Sequence, residues 1–202
     1  MMEKLPEWIR AARSKWQYSG QERPPFTQKP SPGQESVWDY PRPLCLVPDY
    51  RRVVVRIRGK FLADSCSTFR FLETASPPTF YLPPGDVDVS VLVLTDASSF
   101  CEWKGTAQYW TMRGAEKEVD PVAWAYSNPY PGFESIAGYF SFYPGRVECY
   151  VNDERVLPQP GGFYGGWVTK EIAGPFKGPI GTGGVVGGGT FSSRISSWGL
   201  PI

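Results

Sequence analysis

The segment Cys101–Trp110, which reads C-E-W-K-G-T-A-Q-Y-W, holds the densest group of side chains that could carry chemistry. We expect a strand through Lys104, so that Cys101 and Trp103 point to one face while Glu102 and Lys104 point to the other. In a cleft, Lys104 could bind an anion, and Glu102 could orient or deprotonate a substrate. On a solvent-facing strand, the two would form a surface ion pair of small energetic value. Both interpretations stay open at this point.

A further carboxylate, Glu73, closes the segment F-R-F-L-E, in which Phe69, Phe71 and Glu73 share one face of a strand. A carboxylate on an apolar face needs a partner, because an unpaired buried charge is strongly unfavourable. We expect Lys104 or Arg146 to supply that partner. Structural pairing is favoured over catalysis here, since buried charges are usually paired.

Aromatic side chains make up 15% of the chain, and several could converge on one pocket. Trp124 and Tyr126 share a face at i and i+2, whereas the neighbours Tyr109 and Trp110 point to opposite faces. Rings of this kind bind flat molecules, methylated cations or sugar faces. The alternative is that they only fill a thin β core. The candidate ligand-binding residues are Glu73, Tyr81, Glu102, Lys104, Tyr109, Trp110, Trp124, Tyr126 and Tyr143.

The absence of histidine is the most decisive fact of composition. It excludes Ser-His-Asp and Cys-His catalysis and removes the usual ligand of zinc, iron and copper sites. The four cysteines form no C-x-x-C pair, so we expect reduced thiols, no metal and no cofactor. Asp86 and Asp88 could imitate a metal-binding carboxylate pair, but no Gly-Ser phosphate motif precedes them.

The charge balance bears on possible partners. Twenty-one basic and twenty acidic residues leave a formal charge of +1, which gives no electrostatic reason to expect binding to nucleic acid or to an anionic membrane. The longest apolar run, around Val89–Leu94, is too short to cross a bilayer, and charges stand where a signal peptide needs its apolar stretch. We therefore expect a soluble, cytoplasmic protein that is a monomer or a weak homodimer.

The sequence divides into three regions that differ in composition and periodicity, and the candidate residues lie in the middle one. Residues 1–48 combine a short amphipathic helix, within 5–17, with a Pro-rich arm that packs on the domain. Residues 49–177 are predicted to form a β domain that includes two hairpins, one over Arg52–Asp64 and one over Val147–Leu157. Residues 178–202 are rich in Gly and Ser and are expected to form a flexible tail.

Several ordered motifs resemble those of one known family. They are W-D-Y-P-R-P at Trp38–Pro43, F-L-E-T-x-x-P-P-T-F-Y-L-P-P at Phe71–Pro84, C-E-W-K-G-x-A-x-Y-W at Cys101–Trp110, A-W-x-Y at Ala123–Tyr126, F-Y-P-G-R-V at Phe142–Val147 and Q-P-G-G-F-Y-G-G-W at Gln159–Trp167. With these motifs the chain resembles the domain of unknown function 427 family. The resemblance implies a mainly β fold of two small antiparallel sheets that face each other like the sides of a tent. A short N-terminal helix and an extended arm accompany the sheets.

Three classes of function fit this pattern. The first is a module that binds a small molecule or a peptide in an aromatic-lined pocket edged by Glu102 and Lys104, without turnover. The second is an enzyme of unknown reaction that uses Glu, Lys or Tyr as acid and base, which predicts a strongly shifted pKa on Glu102, Lys104 or Glu73. The third is a structural or interaction domain, which predicts an exposed apolar patch.

Overall fold

The computed structural model describes residues 5–14, 16–114, 120–161, 164–178 and 185–186. Strands account for 43% of these described residues and helix for 11%, so the fold is mainly β. The strands are β1 (Glu35–Ser36), β2 (Cys45–Asp49), β3 (Val53–Ile57), β4 (Lys60–Ser65), β5 (Thr68–Glu73), β6 (Ser76–Tyr81), β7 (Leu92–Cys101), β8 (Gly105–Met112), β9 (Ala123–Ala125), β10 (Phe140–Phe142), β11 (Glu148–Val151), β12 (Glu154–Arg155), β13 (Leu157–Pro158), β14 (Trp167–Val168), β15 (Ile172–Ala173), β16 (Phe176–Lys177) and β17 (Val185–Val186). The helices are α1 (Glu7–Arg13) and single 3₁₀ turns at Val37–Asp39, Pro84–Asp86, Val89–Val91 and Glu134–Ile136.

Both predicted hairpins are confirmed. Strands β3 and β4 are joined by a turn at Arg58–Gly59, and β11 and β12 by a turn at Asn152–Asp153. All four turn residues have positive φ angles, as two-residue turns between twisted strands require. The hairpins lie side by side, because β11 pairs with β3, and they form one sheet in the order β12-β11-β3-β4. We call it the hairpin sheet.

A second antiparallel sheet, in the order β10-β9-β8-β7, faces the hairpin sheet and is called the central sheet. Ala123 and Ala125 point from it into an apolar cluster shared with Val53 and Val55 of the hairpin sheet, which we call the first core. Trp124 and Tyr126 point from the opposite face, as the alternation predicted. Two small antiparallel sheets that face each other confirm the expected fold class.

The central sheet continues into a third group of strands, in the order β2-β5-β6. Leu82, which follows β6, and Phe140 of β10 exchange two backbone hydrogen bonds of 2.8 and 2.9 Å, so β6 lies beside β10. Residues of strands as far apart as β5 and β8 then meet in a second apolar cluster. The joined sheet therefore curls around this cluster, which we call the second core and which contains most of the predicted site.

The N-terminal segment packs on the outer side of β2 and β5. Val37 and Trp38 are fully buried there, and the indole Nε1 of Trp38 donates a hydrogen bond of 2.8 Å to the carbonyl of Pro175. Helix α1 confirms the predicted N-terminal helix and buries Ile9. Most of the predicted tail lies outside the described residues; within it, Val185–Val186 pair with β16. No helix in the described part of the chain is long and apolar enough to span a bilayer.

Candidate functional site

The site is built on the turn between β7 and β8. Cys101 pairs with Gly105, so Glu102, Trp103 and Lys104 form a three-residue turn. The predicted strand through Lys104 is therefore wrong, because the chain reverses direction after Cys101 and the alternation of side chains stops there. Gly105 has a φ of +91°, the left-handed conformation that commonly closes such a turn and that glycine adopts without steric penalty.

The turn sends the side chain of Lys104 into the second core. Its Nζ lies 3.4 Å from the ring centroid of Phe71, 5.3 Å from that of Tyr126 and 5.9 Å from that of Tyr81. The residue is only 7% exposed. Among the described residues, no carboxylate oxygen lies within 4.0 Å of this ammonium group. Lys104 is thus a buried cation held by rings rather than by a contacting counter-charge.

The charge state of Lys104 follows from opposing effects on its pKa. Burial lowers this pKa, whereas the nearby side chains of Tyr81 and Cys101 and the carboxylate of Glu73 raise it. The net shift is upward from the usual 10.5, so Lys104 stays protonated at neutral pH.

Tyrosine hydroxyls and one indole complete the inner wall of the second core. The Nε1 of Trp124 donates a hydrogen bond of 3.4 Å to the hydroxyl of Tyr81, and the rings of Trp124 and Tyr143 lie 4.5 Å apart. Tyr109 shares a hydrogen bond of 2.6 Å with Ser99. Burial raises the pKa of Tyr81, Tyr126 and Tyr143 above the usual 10, so these hydroxyls remain protonated donors.

Gly165 allows the backbone to approach the indole of Trp124. A Cβ at this position would lie 2.1 Å from Cη2 of the ring, far inside any real contact. Glycine is therefore needed here for close packing, and it fixes one face of the Trp124 ring. The sequence signal for this role is the G-G pair at Gly165 and Gly166.

Glu73 is paired with a residue that the sequence analysis did not select. The guanidinium of Arg42 donates to the Glu73 carboxylate, and its Nη2 lies 3.3 Å from an oxygen of Glu102. Burial raises the pKa of Glu73, but the positive charges of Lys177, Arg42 and Lys104 together lower it by more. The pKa of Glu73 therefore lies below the usual 4.5. Glu73 is thus a fixed carboxylate among three cations.

Of the two partners expected for Glu73, Lys104 lowers the pKa of the carboxylate without contacting it. The expectation that Arg146 is a partner is wrong. Arg146 donates a hydrogen bond of 2.5 Å to the carbonyl of Pro121, and its guanidinium lies 4.1 Å from the ring centroid of Tyr143. Glu102 and Lys104 form no ion pair with each other within the described structure. Glu102 turns to Arg42, whereas Lys104 turns into the second core.

The N-terminal segment covers the outer side of the turn. The Nε of Arg13 donates a hydrogen bond of 2.8 Å to the carbonyl of Glu102, and its guanidinium lies 4.4 Å from the ring centroid of Trp103. The ring of Trp16 has Arg42 at 4.8 Å and Lys177 at 5.1 Å. The arm that carries Arg42 lacks the periodicity that would have identified this residue. The available signal was the arginine of the motif W-D-Y-P-R-P.

The structure brings eight of the nine predicted residues to this site, either inside the second core or in the charge cluster beside it. They are Glu73, Tyr81, Glu102, Lys104, Tyr109, Trp124, Tyr126 and Tyr143. Trp110 is the exception, because it points from the central sheet to the other face. There it packs edge-on against Phe140 in the first core, with centroids 5.0 Å apart.

Two other features that could bind ligands lie apart from this site. A cavity of about 280 Å³ lies in the arm and is lined by 17–19 and 21–25, none of them a candidate residue. Asp88, one of the two carboxylates that could imitate a metal-binding pair, accepts a hydrogen bond of 3.2 Å from the backbone of Ser90. In the described residues, no three side chains of His, Cys, Asp or Glu gather as metal ligands would.

Comparison with known protein families finds a match over the β-rich part of the chain. The family model described as Domain of unknown function (DUF427) matches residues 45–153, which run from the start of β2 to the turn after β11. The match includes Glu73, Tyr81 and the turn that carries Lys104, but not Arg42 or Lys177. No curated protein matches the chain. Because the match covers more than half of the 202 residues, the chain belongs to the family described as Domain of unknown function (DUF427).

Proposed function

We propose that this protein is a small-molecule-binding module whose site is the second core around Lys104. The observation that carries the proposal is the buried ammonium, which is enclosed by aromatic rings and contacts no carboxylate in the described part of the chain. A buried charge of this kind is unfavourable, and an apolar side chain would fill the same space more stably. A role in recognition accounts for its presence.

The protonation states favour binding over acid-base catalysis. The pKa of Lys104 lies above its usual value and that of Glu73 below its usual value. The pKa values of Tyr81 and Tyr126 are raised as well, so none of these groups moves toward neutral pH. A general acid or base works best with a pKa near the operating pH. These side chains act instead as fixed charges and hydrogen-bond donors.

A small molecule suits the site better than a peptide. The rings of Tyr81, Trp124, Tyr126 and Tyr143 are at most 9% exposed, so they lie in the interior and not along an open groove. Peptides usually bind to exposed sheet edges or surface grooves. In this proposal a small ligand enters past partly exposed members of the second core, which are Leu46, Phe69, Cys101, Tyr109 and Tyr139.

Thermal-shift screening of the full chain against a library of metabolites tests this proposal. A ligand that binds only the folded state raises the melting temperature, by an amount that grows with the logarithm of its concentration relative to its dissociation constant. Trp124→Phe should weaken that stabilisation, whereas the matched control Trp110→Phe, on the opposite face of the same sheet, should leave it unchanged. A library in which no compound stabilises the protein, or a ligand equally sensitive to both substitutions, would contradict the proposal.

A further inference from the structure

Resting on the proposed function, we infer that the ligand is a flat aromatic ring that carries one carboxylate, and that this carboxylate pairs with the ammonium of Lys104. The inference concerns the chemical class of the ligand, and it follows from the charges, the rings and the hydrogen-bond donors of the site.

The charges of the site leave an excess of positive charge. Among the described residues, Arg42, Lys104 and Lys177 face only two carboxylates, those of Glu73 and Glu102. The side chains of Arg42, Glu73 and Glu102 are 4%, 15% and 13% exposed, so solvent screens them little. Arg42 contacts both carboxylates and thereby leaves Lys104 without a contacting counter-charge among the described residues. One negative charge on the ligand would balance the three cations.

The rings exclude the opposite class of ligand. An aromatic cage binds a cation above a ring face, but the ammonium of Lys104 already lies 3.4 Å from the centroid of Phe71. A methylated amine or other cationic ligand would be repelled by this charge at the position where the rings could bind it. The rings of Tyr81, Trp124 and Tyr126 suit contact with a flat, uncharged ring.

Hydrogen-bond donors in the second core suit the oxygens of a carboxylate. The hydroxyls of Tyr81 and Tyr126 are protonated and can donate, as can the ammonium of Lys104. Trp103, which precedes Lys104 in the turn, has a buried Nε1 without an acceptor among the described residues. A buried donor of this kind is unfavourable until an acceptor reaches it. Charge-assisted hydrogen bonds from such donors to a carboxylate are the stronger kind.

Calorimetric titration of the full chain with matched probes tests the inference. The probes are the carboxylates benzoate, phenylacetate and indole-3-acetate, their neutral amides, benzylammonium and phenyl phosphate. We expect each carboxylate to bind at least about tenfold more tightly than its amide, the ratio expected for a charge-assisted hydrogen bond. Lys104→Met should abolish this preference, whereas the control Lys60→Met, at an exposed position of β4, should retain it.

The outcomes separate the two proposals. Amides that bind as tightly as carboxylates, tighter binding of benzylammonium or phenyl phosphate, or a preference that survives in a folded Lys104→Met protein would overturn the ligand class and leave a binding module. If no probe of any charge binds and no metabolite stabilises the chain, the binding module itself fails. Near-ultraviolet circular dichroism shows whether Lys104→Met is folded, and the comparison of carboxylate with amide in the unmodified protein does not depend on that variant.

Discussion

Arg42 and Glu73 form the ion pair that holds the charged part of the site together. Arg42 comes from the arm, Glu73 from the end of β5 and Glu102 from the β7–β8 turn, and all three side chains are largely buried. The guanidinium also lies over the ring of Trp16. Removal of one partner from a buried pair leaves the other charge uncompensated, which is the expensive case for buried ions.

At this scale, Glu73→Gln should lower the free energy of unfolding by about 3 kcal/mol, because Arg42 stays buried with only the longer contact to Glu102. Urea unfolding followed by tryptophan fluorescence measures the change. The control is Asp39→Asn, which breaks the exposed pair between Arg23 and Asp39 and should have little effect. Equal effects of the two substitutions would show that the buried pair does not organise the site.

At the scale of elements, the β7–β8 turn decides where Lys104 points. Its three residues lead to three places: Glu102 contacts Arg42, Trp103 packs in the second core, and Lys104 lies over Phe71. The turn closes at Gly105, whose positive φ is strained for any residue with a Cβ.

Gly105→Ala should therefore lower the free energy of unfolding by about 1–2 kcal/mol through backbone strain, since its Cβ would meet other atoms only at ordinary distances of 3.7 Å or more. It should also weaken ligand binding, because the turn then presents Lys104 differently. Gly85→Ala is the matched control, since its φ is not positive and a Cβ there would meet nothing within 4 Å. Chemical unfolding and calorimetric titration of both variants check these effects; similar behaviour of the two would refute the role of the turn.

The elements also show what a single sequence can predict. Both hairpins were predictable because their alternation and turn residues are local signals. The β7–β8 turn was not, since C-E-W-K-G continues the alternating pattern of a strand and only Gly105 marks the reversal. Trp110 was placed in the site because both faces of the central sheet are buried, so alternation separates it from Tyr109 without showing which face bears the site.

At the scale of the whole molecule, a charge network fastens the arm to the domain. Arg70 of β5 contacts both Glu35 of β1 and Asp49 of β2, at 3.0 and 3.1 Å, and Arg51 contacts Asp49 at 2.6 Å. Burial raises the pKa of Asp49 and of Glu35, but the neighbouring arginines lower each pKa by more. The pKa of Asp49 therefore lies below its usual 3.8 and that of Glu35 below its usual 4.5. These carboxylates, like Glu73, are more acidic in the folded protein than in the unfolded chain.

This network predicts how stability depends on pH. A carboxylate whose pKa is lowered by folding stabilises the folded state at any pH above its usual pKa. That stabilisation is lost as the pH falls through the lowered pKa. The free energy of unfolding should be level from about pH 5 to pH 8, because the chain has no histidine to titrate there. It should decrease once the pH drops below 4.5, the usual pKa of Glu35 and Glu73. Urea unfolding at a series of pH values measures this curve.

Asp49→Asn should flatten the acid part of the curve, because it removes one group whose protonation opposes folding. The exposed Asp96→Asn on β7 should leave the curve unchanged. An acid limb that is the same in the Asp49 variant as in the unmodified chain would show that this network does not set the pH dependence.

Long-range contacts explain why the site was only partly predictable. Arg42 lies 31 residues before Glu73 along the chain, and Lys177 lies in a short strand after the family match ends. Neither belongs to a periodic element, so no local pattern links them to Glu73. The aromatic wall and Lys104 were predictable from alternation and composition, whereas the positions of Arg42 and Lys177 depend on how the arm and β16 fold back.

The most direct test of the account follows the tryptophan indole N–H signals in nitrogen–proton correlation spectra of the full chain. The titrant is the compound that binds most tightly among the aromatic carboxylates. The account predicts that the signals of Trp124 and Trp103, in the second core beside Lys104, shift with saturation, while those of Trp110 in the first core and Trp8 on helix α1 stay in place. Shifts centred on Trp110 or Trp8, or no shift of Trp124, would contradict it.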